Sequence, residues 1–142
     1  MDKSPTTRFS DRVDNYAKYR PSYPKPMMDW FRSDEVGLTP DDVIADVGSG
    51  TGISTKLFLE AGCTVYGVEP NTPMRERAEQ ELAEFEKFTS IDGTAEDTTL
   101  PFDSVDKIVC CQSFHWFDID KAREEFRRIL RTPESEAFLI WN

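Results

Sequence analysis

The chain has 142 residues, enough for one domain that buries about 68–70% of its unfolded surface. A formal charge of −10 argues against polyanionic partners, whether DNA, RNA or an anionic membrane surface. No apolar run approaches the roughly 18 residues of a membrane span, and the polar N-terminus has no signal-peptide pattern, so a cytoplasmic protein is expected.

Residues 1–7 are polar and read as loose. Phe9, Val13, Tyr16 and Arg20 fall at helical spacing, with Ser10 as N-cap, and Pro21 and Pro24 stop that helix. Pro26 opens a second short helix carrying Met27, Trp30 and Phe31, whose aromatics read as core. Ser33 to Asp42 is a polar loop broken by Gly37 and Pro40. Val43 to Val47 is long enough for a buried strand and too short for a helix.

Gly48, Gly50 and Gly52 follow that strand at alternating positions, and from Ile53 the apolar residues recur at helical spacing. Strand, glycine bend, helix is a ligand-binding arrangement. Glycine accepts φ > 0 and lets a ligand approach the backbone, and the helix start leaves unpaired N–H groups beyond it. A dinucleotide would want G-x-G-x-x-G, but the third glycine comes one place early and Ile53 stands where the fingerprint wants glycine. Asp46 is expected at the lip of the bend, where its carboxylate would repel phosphate and pair with an ammonium. Glu69 lies 21 positions after Gly48, where a ribose-binding acid is expected. A ligand with an amino group at one end, a ribose at the other and no phosphate fits these residues better than NAD.

The first α/β helix, from about Thr51 to Glu60, ends at Gly62 as a C′ residue, and strand two is Thr64 to Glu69. Asn71-Thr-Pro73 starts the next helix with Pro73 at N1 and a stripe of Met74, Ala78, Leu82 and Phe85. Its glutamates Glu76, Glu79, Glu81, Glu84 and Glu86 read as a solvated face. Phe88 to Ile91 is a weak third strand, Asp92 to Asp97 a loop, and Ser104 to Cys111 strand four. Cys110 and Cys111 face opposite sides of that strand as small buried hydrophobes; with Cys63 and one histidine they make neither a disulfide framework nor metal spacing, so no metal is expected. Gln112 to Phe117 follows at the carboxyl end of strand four, facing the same crevice as Asp46, Glu69 and Glu96. His115 is a candidate general base, with a packed side chain among Phe114, Trp116 and Phe117 the favoured alternative, and Trp116 reads as pocket wall. Asp118 caps a last helix with apolar Ile119, Ala122, Phe126, Ile129 and Leu130. Arg123, Arg127 and Arg131, interleaved with Glu124 and Glu125, read as a solvated row, and Ala137 to Trp141 is strand five.

Asp46-Val-Gly-Ser-Gly-Thr-Gly52 resembles the first motif of the class I S-adenosylmethionine-dependent methyltransferases, and Val68-Glu69-Pro70 resembles the acidic end of their second strand. The likeness runs from about Phe9 to Asn142 and is greatest to the small-molecule, ubiquinone/menaquinone-biosynthesis-like (type 11) group. It implies a doubly wound, Rossmann-like α/β fold, mainly parallel, with strand order 3-2-1-4-5 and helices on both faces. The whole chain, 1–142, would be one S-adenosylmethionine-binding domain, with a helical segment at 8–32 and an α/β core at 43–142. The implied cofactor is S-adenosylmethionine. Asp46 would take its ammonium, Gly48, Ser49, Gly50, Thr51 and Gly52 its approach to the backbone, and Glu69 with Pro70 its ribose. Ala95 and Glu96 would lie beside the adenine, Met74 would touch it or serve as stripe packing, and Gln112 would make a backbone contact. Arg20 suits the donor's carboxylate, while Tyr16 and Tyr19 either close the site or pack on the sheet.

The implied activity is methyl transfer to an O, N or C atom of a small molecule, with no nucleic-acid or membrane partner. The alternative is a donor-binding module or fragment without turnover. Family members continue with further strands beside strand five, so Phe138-Leu-Ile-Trp141 would form a bare apolar edge here. A truncated chain, a homodimer paired at that edge, or coverage by the N-terminal helices would each account for it; truncation is the expectation.

Overall fold

A computed structural model of the chain describes residues 25–111, 118–132 and 136–140. Their elements run α1 (Lys25–Arg32), β1 (Val43–Val47), α2 (Ile53–Glu60), β2 (Thr64–Val68), α3 (Thr72–Glu81), β3 (Phe88–Ile91), β4 (Lys107–Cys111), α4 (Ile119–Ile129) and β5 (Glu136–Ile140). The strands form one five-stranded sheet in the order β3-β2-β1-β4-β5, and every pairing is parallel. The expected doubly wound order is therefore observed. The strand order reverses direction at β1, which puts the crevice for a ligand at the carboxyl ends of β1 and its neighbours.

Alternation along the strands divides the core into two layers. On one face Ile44, Val65, Val109 and Cys111 pack with Phe31 of α1, Phe58 and Leu59 of α2, and Leu82 just after α3. On the other, Ala45, Val47, Val68, Ile108 and Cys110 pack with Ala122 and Ile129 of α4. The neighbouring Cys110 and Cys111 thus sit in different layers, both buried, as the period of a strand requires.

Local chemistry sets the ends of the helices. After α2 the Gly62 backbone is left-handed, at φ +96. Its N–H donates to the Leu59 carbonyl and that of Cys63 to the Phe58 carbonyl, a Schellman closure. The Asn71 side chain accepts from the Met74 N–H at 3.0 Å, capping α3. Thr72 is the first residue of that helix, so Pro73 stands second rather than first; the N–H it lacks has no helical partner at either position. Met74, Ala78 and Leu82 are buried, and the expected glutamates of that helix are exposed. Asp118 caps α4 by accepting from the Lys121 N–H.

Several expectations are corrected. The helix after the bend begins at Ile53, not Thr51, because Thr51 and Gly52 still belong to the turn. Strand four begins at Lys107. The N–H groups of Asp103, Ser104 and Val105 donate to the Arg128 and Ile129 carbonyls instead, which serves the open carbonyl end of α4. Trp30, read as core, is 44% exposed, and Ile119, the first residue of α4, is 48% exposed. Glu125, read as solvated, is only 8% exposed, while Arg123, Arg127 and Arg131 are on the surface. At β5, Phe138 lies edge-on to both Trp30 and Phe31, so α1 covers part of the apolar surface expected to be bare. No helix among the described residues is long and apolar enough to cross a membrane.

Candidate functional site: the glycine bend and the ends of the parallel strands

The register places the chain reversals side by side. Val47 pairs with Val68 and Val68 with Ile91, so the bend after β1, Glu69 after β2 and the loop after β3 emerge at one level. The N–H groups of Gly48 and Ser49 both donate to the Val68 carbonyl, pinning the bend to the end of β2. Gly48, Gly50 and Gly52 have φ of 72, 59 and 93, which side-chain-bearing residues rarely adopt.

The glycines divide the work. A Cβ on Gly50 would meet only the Met74 sulfur, at 4.0 Å, so the backbone there is open. A Cβ on Gly52 would lie 2.8 Å from Leu82 and 3.3 Å from Ala78. Gly52 therefore leaves room for the end of α3. A Cβ on Gly67, within β2, would meet Phe88 at 2.9 Å and the Ser49 hydroxyl at 3.1 Å. Sequence reasoning missed Gly67, although a lone glycine inside a strand marks a close approach.

Two acids hold the bend. Glu69, 7% exposed, accepts from the Gly50 N–H through Oε1 at 2.8 Å and from the Asn71 N–H through Oε2 at 2.9 Å. Burial pushes its carboxyl up from the usual range, and the Asn71 and Gly50 N–H bonds and the Arg75 charge only partly oppose this. Asp46 is 0% exposed and lies beneath the bend, not at its lip as expected. Its Oδ2 accepts from the Ser54 and Thr55 hydroxyls, both at 2.7 Å, in the first turn of α2. The alternating pleat explains this placement, since Asp46 falls on the α2 face of β1. Its Oδ1 and the Thr51 hydroxyl are buried without a hydrogen-bonding partner among the described residues. Burial raises the Asp46 pKa to about 6; the Thr55 and Ser54 hydroxyls work against the rise and the nearby Glu69 charge adds to it. Two acids that burial pushes upward at one backbone bend mark a functional candidate.

The third wall is the loop after β3. Ala95 is buried and Glu96 half-buried, with Glu96 Oε1 accepting from the Asp118 N–H at 2.7 Å. Pro70 is half-buried beside Glu69, and Met74 is buried beside Gly50. Asp46, Gly48, Ser49, Gly50, Thr51, Glu69, Pro70, Met74, Ala95 and Glu96 all come from turns or element ends at the carboxyl side of the sheet. Among the described residues, no group of three or more His, Cys, Asp or Glu is placed to hold a metal ion.

The family described as "Methyltransferase domain" matches residues 45–133. The chain belongs to that methyltransferase-domain family. It is 34% identical over 136 residues to an uncharacterized methyltransferase of Mycobacterium tuberculosis, covering 94% of this chain and 51% of that one. The chain thus spans about half the length of the curated relatives it matches over most of its own. A Methanococcus maripaludis protein, provisionally assigned as an S-adenosyl-L-methionine-dependent methyltransferase, superposes with a TM-score of 0.82. It covers 100% of this chain and 66% of its own at 20% identity. A Haemonchus contortus phosphoethanolamine N-methyltransferase, solved with phosphoethanolamine and S-adenosylhomocysteine, superposes at 0.67 with 19% identity. That match covers 89% of this chain and 28% of the other; both structures share its fold.

Arg20, Tyr16, Tyr19, Gln112, His115 and Trp116 lie outside the described residues. Ser54, Thr55, Asn71 and Arg75, none of them anticipated at the site, hold its acids and turns. Arg75 donates to the Glu69 carbonyl at 3.0 Å and pairs with Asp92 at 3.3 Å. Only their position in the first turns of α2 and α3 hinted at such a part, since first-turn side chains are the ones that face a preceding strand end.

Proposed function

We propose that the chain binds S-adenosylmethionine across the carboxyl ends of β1, β2 and β3 and serves in methyl transfer to a small molecule. The observation that carries the reading is the 2.8 Å bond from the Gly50 N–H to Glu69, which makes one cradle of the bend and the acid 19 positions later. The residues fit such a donor. Gly50 leaves backbone open, and Asp46 Oδ1 and the Thr51 hydroxyl are buried polar atoms lacking partners. Each oxygen of Glu69 has a second lone pair beyond its backbone bond.

When bound, the donor supplies a methyl group activated by a positively charged sulfur. Glu69 accepts from the ribose hydroxyls while it keeps the bend in place. Asp46, under the bend, favours the donor's positive groups through its charge and fixes the start of α2 through Ser54 and Thr55. Ala95 and Glu96 flank the adenine, Glu96 as acceptor for its amine. These residues bind and orient, and holding donor and acceptor in line is itself a large part of the rate. His115 remains the candidate base, Arg20 the candidate for the donor's carboxylate and Gln112 a candidate backbone contact.

Calorimetry with S-adenosylhomocysteine, with NAD as control, tests the reading. Binding of the first and not the second is expected, and Glu69→Ala should weaken it by about 1–3 kcal/mol through loss of hydrogen bonds. An affinity unchanged by that substitution would remove Glu69 from the site. The second reading is a donor-binding module without turnover. Methyl release from labelled donor over a panel of small metabolites separates the two.

A further inference from the structure

The loop that brings Ala95 and Glu96 to the site is fastened to α4 at two points about two turns apart. At one, Glu96 accepts from the Asp118 N–H at the start of the helix. At the other, Thr98, fully buried, donates its N–H at 2.8 Å and its hydroxyl at 2.6 Å to Glu125 Oε2. Arg128 closes the ring. Its Nε and one terminal nitrogen each reach Glu125 at 2.7 Å, and that nitrogen also donates to the Leu100 carbonyl at 2.6 Å. The Leu100 N–H in turn donates to the Thr98 hydroxyl at 3.2 Å.

Just beyond the second point, between Thr98 and Leu100, the backbone is strained. Thr99 is left-handed, at φ 66, a region that a β-branched residue seldom enters. Thr99 is exposed, and the hydrogen bond it is shown making is a long one from its N–H to Asp97, at 3.3 Å. The conformation is therefore imposed by Thr98 and Leu100 on either side. Strain of this kind persists only where the surroundings over-determine it, and it concentrates at ligand clamps. The carboxylate at the centre of the ring is equally committed, since burial alone would raise Glu125, yet the Arg128 and Thr98 hydrogen bonds hold it below the usual range.

We infer that Glu125, acting through Thr98, with the strained Thr99 bracing Asp97 from the other side, is a positioning residue that sets Ala95 and Glu96 against the donor's adenine. The inference rests on the donor-binding reading above. It requires that loosening the ring impair discrimination of the base more than it impairs folding. Thr99→Gly relieves the strain and lets the loop wander, while Glu125→Gln keeps an acceptor for Thr98 and gives up the charge that holds Arg128.

The test measures binding of S-adenosylhomocysteine and of S-inosylhomocysteine, which lacks the exocyclic amine, to the full chain and to both variants, with melting temperatures alongside. The expected result is that the wild type prefers the adenine compound and that each variant loses about fivefold of that preference. Thr99→Gly should do so with an unchanged melting temperature. A variant that melts earlier but keeps the full preference would mean that the ring only stabilises the fold, and would overturn the inference. Should Glu125→Gln fail to fold, Thr99→Gly alone decides. A wild type that binds neither compound would bring down the donor-binding reading as well, whereas wild-type binding with unaltered preference in both variants brings down this inference alone.

Discussion

The bend after β1 and the loop after β3 are both built on buried carboxylates, and the two treat their acids in opposite ways. Asp46 and Glu69 receive hydroxyls and N–H groups but no cation on their carboxylate oxygens, Arg75 reaching only the Glu69 backbone carbonyl, and burial drives both upward, Asp46 to about 6. Glu125 receives Thr98 and the two-pronged Arg128, and the hydrogen bonds overcome burial. A charge buried without a counter-charge is a standing cost to the fold and an attraction for a positively charged ligand. A charge buried with its partner is a fastener. Burial by itself therefore does not separate the two kinds of acid; a cation bound directly to the carboxylate does.

The contrast is broken most forcefully at Arg128. Arg128→Ala leaves Glu125 buried without its cation, and a loss of about 3–5 kcal/mol is expected, toward the low end because the guanidinium keeps some contact with solvent. Urea denaturation measures it, and a variant nearly as stable as the wild type would show that the ring is not a fastener.

At the bend the sign reverses. Asp46, raised from 3.8 to about 6, keeps its proton in the fold at pH values where the unfolded chain has released it. Its contribution is fully present below about pH 4 and is lost as pH rises through about 6, a fall of about 3 kcal/mol. Glu125, lowered, contributes in the opposite direction: its stabilisation is present above the ordinary glutamate range and is lost as pH falls through its depressed value. Asp46→Asn should flatten the fall between pH about 4 and about 7 while weakening donor binding. Parallel stability-pH curves for the two proteins would show that this carboxylate is not the source.

The bend can be divided again by its glycines. Gly52→Ala adds a Cβ 2.8 Å from Leu82 at a left-handed position, and a loss of about 2–3 kcal/mol is expected from strain and overpacking together. Gly50→Ala brings the strain without the collision, about 1–2 kcal/mol, and its larger effect should fall on donor affinity. Melting temperatures and calorimetry on the pair decide this. Equal destabilisation with equal affinity would undo the division of labour between them.

Much of this was legible in the residues because it is local. A five-residue apolar run, three alternating glycines and the Gly62 and Asn71 caps each act within one turn of chain, so strands and helix ends followed from spacing, while the strand order came from the family resemblance. The weak points lay where a distant partner intervenes. Strand four was expected three residues too early, since nothing near Ser104 reveals that its N–H will serve the end of α4. Glu125 looked like one more glutamate in a charged helix, and Thr98, the residue that draws it inward, stands 27 positions earlier.

The sequence by itself determined that an acid, a glycine bend and a second acid would meet at the tips of parallel strands, because strand period, turn chemistry and chain order leave little choice. Only the tertiary structure decided what each of them touches. It sent Asp46 under the bend and gave Gly52 to Leu82 and Gly50 to open ground. It also matched Glu125 to Arg128 and Thr98 and left Asp46 and Glu69 without a cation of comparable closeness. Such pairings depend on which surfaces arrive at one place when the core closes, and no interval along the chain encodes that.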